Sequence, residues 1–122
     1  MSPIIVVIDR PKWGRGFLLN SRTNKMCCLG FCALKAGLDA KSIRGVALPD
    51  GLLARKFFNA FPSLAKPLSK KAIKMVTVVK YSQTYYHALV KINDTELLSN
   101  KEREAGIVAI GALCGVKFEF VD

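Results

Sequence analysis

Residues 72–92, Ala72-Ile73-Lys74-Met75-Val76-Thr77-Val78-Val79-Lys80-Tyr81-Ser82-Gln83-Thr84-Tyr85-Tyr86-His87-Ala88-Leu89-Val90-Lys91-Ile92, decide how this chain is organised. Two segments, Ala72 to Tyr81 and Tyr85 to Ile92, are rich in Val, Ile, Thr and Tyr, the residue types that suit a pleated, half-buried surface. Only Ser82-Gln83-Thr84 lies between them, so the spacing predicts an antiparallel hairpin, with a turn that lacks the glycine of the strongest hairpin signals. Strand alternation then places His87 on one face with Tyr85 and Leu89.

Upstream of this stretch, Ser63 to Lys71 carries three lysines and a proline and reads as a connecting loop. Before it, Leu52 to Phe61 sets Leu53, Phe57 and Phe61 on one helical face, and Pro62 closes that helix. Asp39 can cap a short helical turn through Ile43. Cys28, Phe31, Cys32 and Lys35 recur at helical spacing, so a largely buried helix is expected from Cys27 to Ala36, stopped by Gly37. Phe17-Leu18-Leu19, the turn residues Asn20 to Asn24, and Met26 suggest a short hairpin. Pro3 to Asp9 is a β-branched run of strand length ended by Pro11.

Downstream, Ser99 with Glu102 three residues later has the form of a capping box, and the apolar run Ala105 to Leu113 that follows predicts a central helix. Lys117-Phe118-Glu119-Phe120-Val121 alternates as a closing strand does. The expected fold class is therefore α+β: a small, mainly antiparallel sheet built from the N-terminal strand, the central hairpin and the C-terminal strand, packed against two or three helices. At 122 residues the chain has room for one compact domain, 1–122, which excludes an enzyme with separate cofactor and substrate halves. With 51% hydrophobic residues it can build a core. The longest uncharged run, Ala105 to Val116, is too short for a membrane span, and Ile4 to Ile8 has no preceding basic residue and no small-residue cleavage site, so no membrane association and no secretory signal are expected. Cys27, Cys28 and Cys32 are clustered and Cys114 is remote, a poor disulfide framework that favours reduced thiols and a cytoplasmic location.

Charge narrows the partners. Nineteen Lys and Arg against nine Asp and Glu give a formal net charge of +10, which favours anionic ligands. Between Ala40 and Lys91 Asp50 is the only acid, whereas the balance reverses from Ile92 onward. Arg10, Lys12 and Arg15 surround Trp13, a combination that can neutralise phosphate while the indole stacks on a base; the alternative is that Trp13 plugs the core edge. Lys70, Lys71 and Lys74, with Tyr85 and Tyr86 beyond them, form a second candidate surface, although a lysine-rich edge also protects a strand from aggregation.

Enzymatic chemistry is poorly supplied. His87 is the single histidine, so any Cys-His mechanism must pass through it. Pro49-Asp50 opens a nuclease-like pattern that no later Asp/Glu-x-Lys completes, and Asn93-Asp94-Thr95-Glu96 is explained by turn and helix-start chemistry. There is no P-loop, dinucleotide fingerprint or nucleophile elbow, so neither a cofactor nor a metal is expected. Cys28 and Cys32 share a helical face without a CxxC spacing, which suits buried packing better than redox or metal chemistry.

Gly16-Phe17-Leu18, then Met26-Cys27-Cys28-Leu29-Gly30-Phe31 and Gly37, and finally Leu89-Val90-Lys91-Ile92-Asn93-Asp94 resemble elements of small tailed-bacteriophage proteins. Those proteins show glycine-x-leucine, a CCLG element opening a helix, and a later leucine-x-x-leucine-asparagine-aspartate. The present chain has Ile92 at the second leucine and carries Thr95 to Glu104 before its apolar helix. The likeness is strongest in the front third and brings no assigned chemistry with it. It implies a phage or prophage accessory protein of the bacterial cytoplasm, and adjacent cysteines that belong to the scaffold. Together these observations point to a non-enzymatic host-interaction protein, with counter-defence as one role, that binds a nucleotide signal or nucleic acid. The alternative is a modulator whose basic face docks on an acidic host protein, and self-association stays open.

Overall fold

The computed structural model describes residues 2–122. Strand β1 (Ile4–Asp9) and strand β2 (Val116–Val121) form the sheet, and they pair in parallel, with Ile4 opposite Val116, Val6 opposite Phe118 and Ile8 opposite Phe120. The antiparallel expectation is thus overturned. Both end strands run in the same direction, and a parallel pair needs a long crossover, which everything between Arg10 and Gly115 supplies. Val6, Ile8, Val116 and Phe118 turn inward, while Ile5, Val7 and Lys117 face outward.

The crossover is helical: α1 (Cys28–Lys35), α2 (Ala40–Ile43), α3 (Gly51–Ala60), α4 (Lys70–Met75), α5 (Tyr85–Asp94) and α6 (Asn100–Leu113), with single 3-10 turns at Arg10–Lys12, Pro62–Ala65 and Thr77–Val79. The expected hairpin over Ala72 to Ile92 is absent; α4, a 3-10 turn and α5 occupy it. Side-chain caps decide the matter. The Ser69 hydroxyl accepts the Ala72 N–H and the Thr84 hydroxyl accepts the His87 N–H, starting a helix at each site. Tyr85, Ala88, Leu89, Ile92 and Asn93 are all buried at helical spacing along α5, and this period outweighs the β preference of the individual residues. His87 consequently lies on a helix, half-buried, with Nδ1 2.9 Å from Thr84 Oγ1. The loop expected over Ser63 to Lys71 likewise holds a 3-10 turn and the start of α4.

The turn after Leu19 forms around Asn20, whose Oδ1 accepts the Arg22 and Thr23 N–H groups, and its flanks pair as in a short hairpin, Asn20 N–H donating to Lys25 O and Cys27 N–H to Phe17 O. Leu18 N–H also donates to Val46 O and Gly45 N–H to Leu19 O, so the segment pairs with residues after α2 as well. The core gathers Phe57 and Phe61 from α3, Leu29 from α1, Leu89 and Ile92 from α5, and Ile107 and Ile110 from α6, beneath Val6 and Ile8. Two glycines permit the closest approaches. A Cβ on Gly30 would lie 1.9 Å from Leu18 O, and one on Gly111 would lie 2.7 Å from Val116 O. The first lets α1 touch the Leu18 backbone, and the second seats α6 on β2. All four cysteines are free and buried.

A candidate anion-binding cleft

Pro11, placed in the 3-10 turn after β1, helps bend the chain so that Trp13 to Arg15 cross the ends of α5 and α6. Trp13 is half-buried and committed. Its Nε1 donates to Asn93 Oδ1 at 2.7 Å, Phe120 meets its ring edge-on with centroids 4.9 Å apart, and the Arg103 guanidinium carbon sits 4.2 Å from the ring centroid. The indole is thus tied into the core edge, with the Arg103 guanidinium over its ring.

Asn93, fully buried at the C-terminal end of α5, organises the surroundings. Its Oδ1 also accepts the Cys28 N–H at 3.0 Å, and its Nδ2 donates to Gly14 O and to Asp94 Oδ1. Asp94 Oδ1 in turn accepts the Gly16 N–H at 2.9 Å. The glycine-x-leucine, CCLG and isoleucine-asparagine-aspartate elements thus meet at one point, as scaffold.

Arg103 is the unusual group. It is 3% exposed, and it donates through Nε and Nη2 to Asn93 O and through Nη1 to Asn100 Oδ1. These partners are neutral, and no carboxylate pairs with it among the described residues. A guanidinium has five N–H donors, so part of its capacity remains for a ligand. Burial pushes its pKa down, nearby Arg15 pushes the same way, and Asp94, Cys28 and Glu104 partly offset both. Arg10, by contrast, is held in its charged form by the hydrogen bonds it donates to Glu104 and Asp122, at 2.9 Å each.

Arg10, Trp13, Gly14, Arg15, Lys25, Asn100, Arg103 and Glu104 enclose a cleft of about 390 Å³. Of the residues singled out from the sequence, Arg10, Trp13 and Arg15 come together here. Lys12 is exposed on the preceding turn and does not line the cleft; its carbonyl accepts the Met26 N–H. Lys70, Lys71 and Lys74 are exposed on α4 and lie outside this cleft. Tyr85 is buried in the core, and Tyr86 packs on Phe58 and His87, so neither offers the stacking platform expected of it. The sequence reading missed Lys25, Asn100 and Arg103. A signal for Arg103 existed: it shares a helical stripe with Gly106, Ile107 and Ile110, all buried, where a cation is out of place.

The thiols offer little reactivity at neutral pH. Burial pushes Cys27 up to about 12 and Cys114 up to about 11, and it raises Cys28 and Cys32 as well. Among the described residues no three His, Cys, Asp or Glu side chains are grouped to hold a metal ion. No helix is long and apolar enough to cross a membrane. Comparison with protein-family models, with curated proteins and with solved structures finds no match to this chain.

Proposed function

We propose that this chain is a non-enzymatic, phage-borne host-interaction protein that binds an anionic, phosphate-bearing ligand in the cleft between Arg15, Lys25 and Arg103. The observation that carries this reading is Arg103, a buried cation with neutral partners, facing a cleft whose other free side chains are cationic. A phosphate oxygen supplies what a buried guanidinium otherwise lacks, a charge-assisted acceptor. Host nucleotide signals and nucleic acid both belong to this ligand class, and interference with host defence through either is a coherent role.

Calorimetric titration with inorganic pyrophosphate and with a short thymidine oligonucleotide tests the proposal. A ligand seated in the cleft gives one defined site. Binding spread over the whole basic surface instead weakens by orders of magnitude between about 50 and about 200 mM salt. Failure of both ligands to bind at low salt contradicts the proposal.

One observation favours docking on an acidic host protein as a second reading. Among the described residues only Arg10 and Lys117 of the nineteen basic side chains stand in ion pairs, which leaves Lys70, Lys71 and Lys74 of α4 free for a partner. Reversing these three charges abolishes a partner interaction and leaves pyrophosphate binding intact if this second reading holds.

A further inference from the structure

We infer that the cleft selects a terminal phosphate, the phosphomonoester dianion at the end of a nucleotide or oligonucleotide, over the internal phosphodiesters of a nucleic-acid chain. The inference rests on the anion-binding reading and sharpens it.

Three observations lead there. The first is depth. Arg15 and Lys25 are exposed, whereas Arg103 is nearly inaccessible. A strand lying across the opening reaches the two exposed cations; bringing an oxygen to Arg103 requires an end group that enters.

The second is charge. Arg10 is already neutralised by Glu104 and Asp122, so the cations left to a ligand are Arg15, Lys25 and Arg103. Two acids stand near Arg103: Asp94, engaged by the Gly16 N–H and Asn93 Nδ2, and Glu104, held by Arg10. With Glu104 and Asp122 counted against Arg10, four cations face three carboxylates, so the cleft keeps a net positive charge that draws an anion toward Arg103. Burial and Arg15 both depress the Arg103 pKa, and an anion seated between the two guanidinium groups relieves both effects.

The third is the lack of a base platform. Trp13 carries Arg103 over its ring and meets Phe120 edge-on, Tyr85 is buried and Tyr86 is packed against Phe58 and His87. Recognition in the cleft therefore runs through phosphate, and the cleft volume of about 390 Å³ accommodates it.

The experiment compares one thymidine oligonucleotide, labelled at its 3′ end, with and without a 5′ phosphate, by fluorescence anisotropy on the unmodified protein. The phosphorylated strand is expected to bind about tenfold more tightly, a difference of about 1.4 kcal/mol. Arg103→Lys, which keeps the charge and loses the fork, is expected to remove most of that preference. Should this buried substitution unfold the chain, the comparison on the unmodified protein still decides. Displacement by thymidine 5′-monophosphate supports the inference with a free nucleotide as the source. Preference for the phosphorylated strand without such displacement supports it with a strand end as the source. Equal binding of both strands, lost in Arg15→Ala/Lys25→Ala, overturns the inference and leaves the anion-binding reading standing. Binding of neither strand overturns the inference, and failure of inorganic pyrophosphate to bind as well overturns the anion-binding reading.

Discussion

The side-chain oxygen of Asn93 lies 2.7 Å from Trp13 Nε1 and accepts its proton, although the two residues are 80 positions apart in the chain. The same oxygen holds the first N–H of α1 at Cys28, and the Asn93 amide nitrogen holds the Gly14 carbonyl. One buried amide thus joins the start of α1, the end of α5 and the segment that forms the cleft wall. Arg103 then fixes α6 to the same residue through the Asn93 carbonyl.

Replacing Asn93 by Ala is expected to cost about 3 kcal/mol or more, because it leaves buried donors at Trp13 and Cys28 without partners. Urea unfolding followed by circular dichroism measures this. A loss below about 1 kcal/mol contradicts the role assigned to Asn93.

Gly30 and Gly16 separate two kinds of glycine requirement. Gly30→Ala drives a methyl to 1.9 Å from Leu18 O and 2.8 Å from Met26 Cβ, so a loss of about 3 kcal/mol is expected. Gly16 has a φ of +89° and open space around its Cβ position, and Gly16→Ala is expected to cost only about 1 kcal/mol of backbone strain. Thermal melts of both variants should rank them in that order; the reverse ranking contradicts the packing of α1 on Leu18.

Trp13→Ala is expected to destabilise the fold by about 3 kcal/mol, through lost packing on Phe120 and lost pairing with Asn93. Denaturant midpoints of this variant and of Arg15→Ala should differ accordingly, with the exposed Arg15 within about 0.5 kcal/mol of the unmodified protein. A stable Trp13→Ala variant that has lost only ligand binding restores Trp13 to a stacking role.

The buried thiols set an alkaline limit. Cys27 rises from an ordinary value of 9.0 to about 12 in the folded chain, so between these values the folded state binds the proton that the unfolded state has released. Stability is therefore full below about pH 9 and falls above it, by up to about 1.4 kcal/mol per pH unit for each such group. Unfolding midpoints measured from pH 8 to 11 should decline across this window and follow thiol labelling. A flat profile contradicts the burial of Cys27, Cys28 and Cys32.

The legible parts of the fold were those whose local signals agree. Ser99 and Glu102 form the capping box of α6, the spacing of Cys28, Phe31 and Cys32 matches α1, and β-branched Ile4 to Ile8 form β1. The segment over 72–92 misled because Val, Ile, Thr and Tyr favour strands one residue at a time, while the period of Tyr85, Ala88, Leu89 and Ile92 and the Thr84 cap favour a helix. Parallel pairing of β1 with β2 depends on where the crossover helices pack, which no local pattern encodes. The cleft was half legible. Arg10, Trp13 and Arg15 lie close together in the chain, but Lys25 and Arg103 reach them only through the Asn20 turn and the Asn93 hub.

Trp13 is the single tryptophan and lies against Arg103, so its fluorescence reports directly on the cleft. The decisive measurement is a titration of the protein with inorganic pyrophosphate, followed by this emission, for the unmodified chain and for Arg15→Ala/Lys25→Ala. A cleft that binds phosphate gives a saturable one-site change that the variant loses while its melting temperature stays within a few degrees. An emission that does not respond up to about millimolar pyrophosphate, or a response that the variant keeps unchanged, contradicts phosphate binding in the cleft.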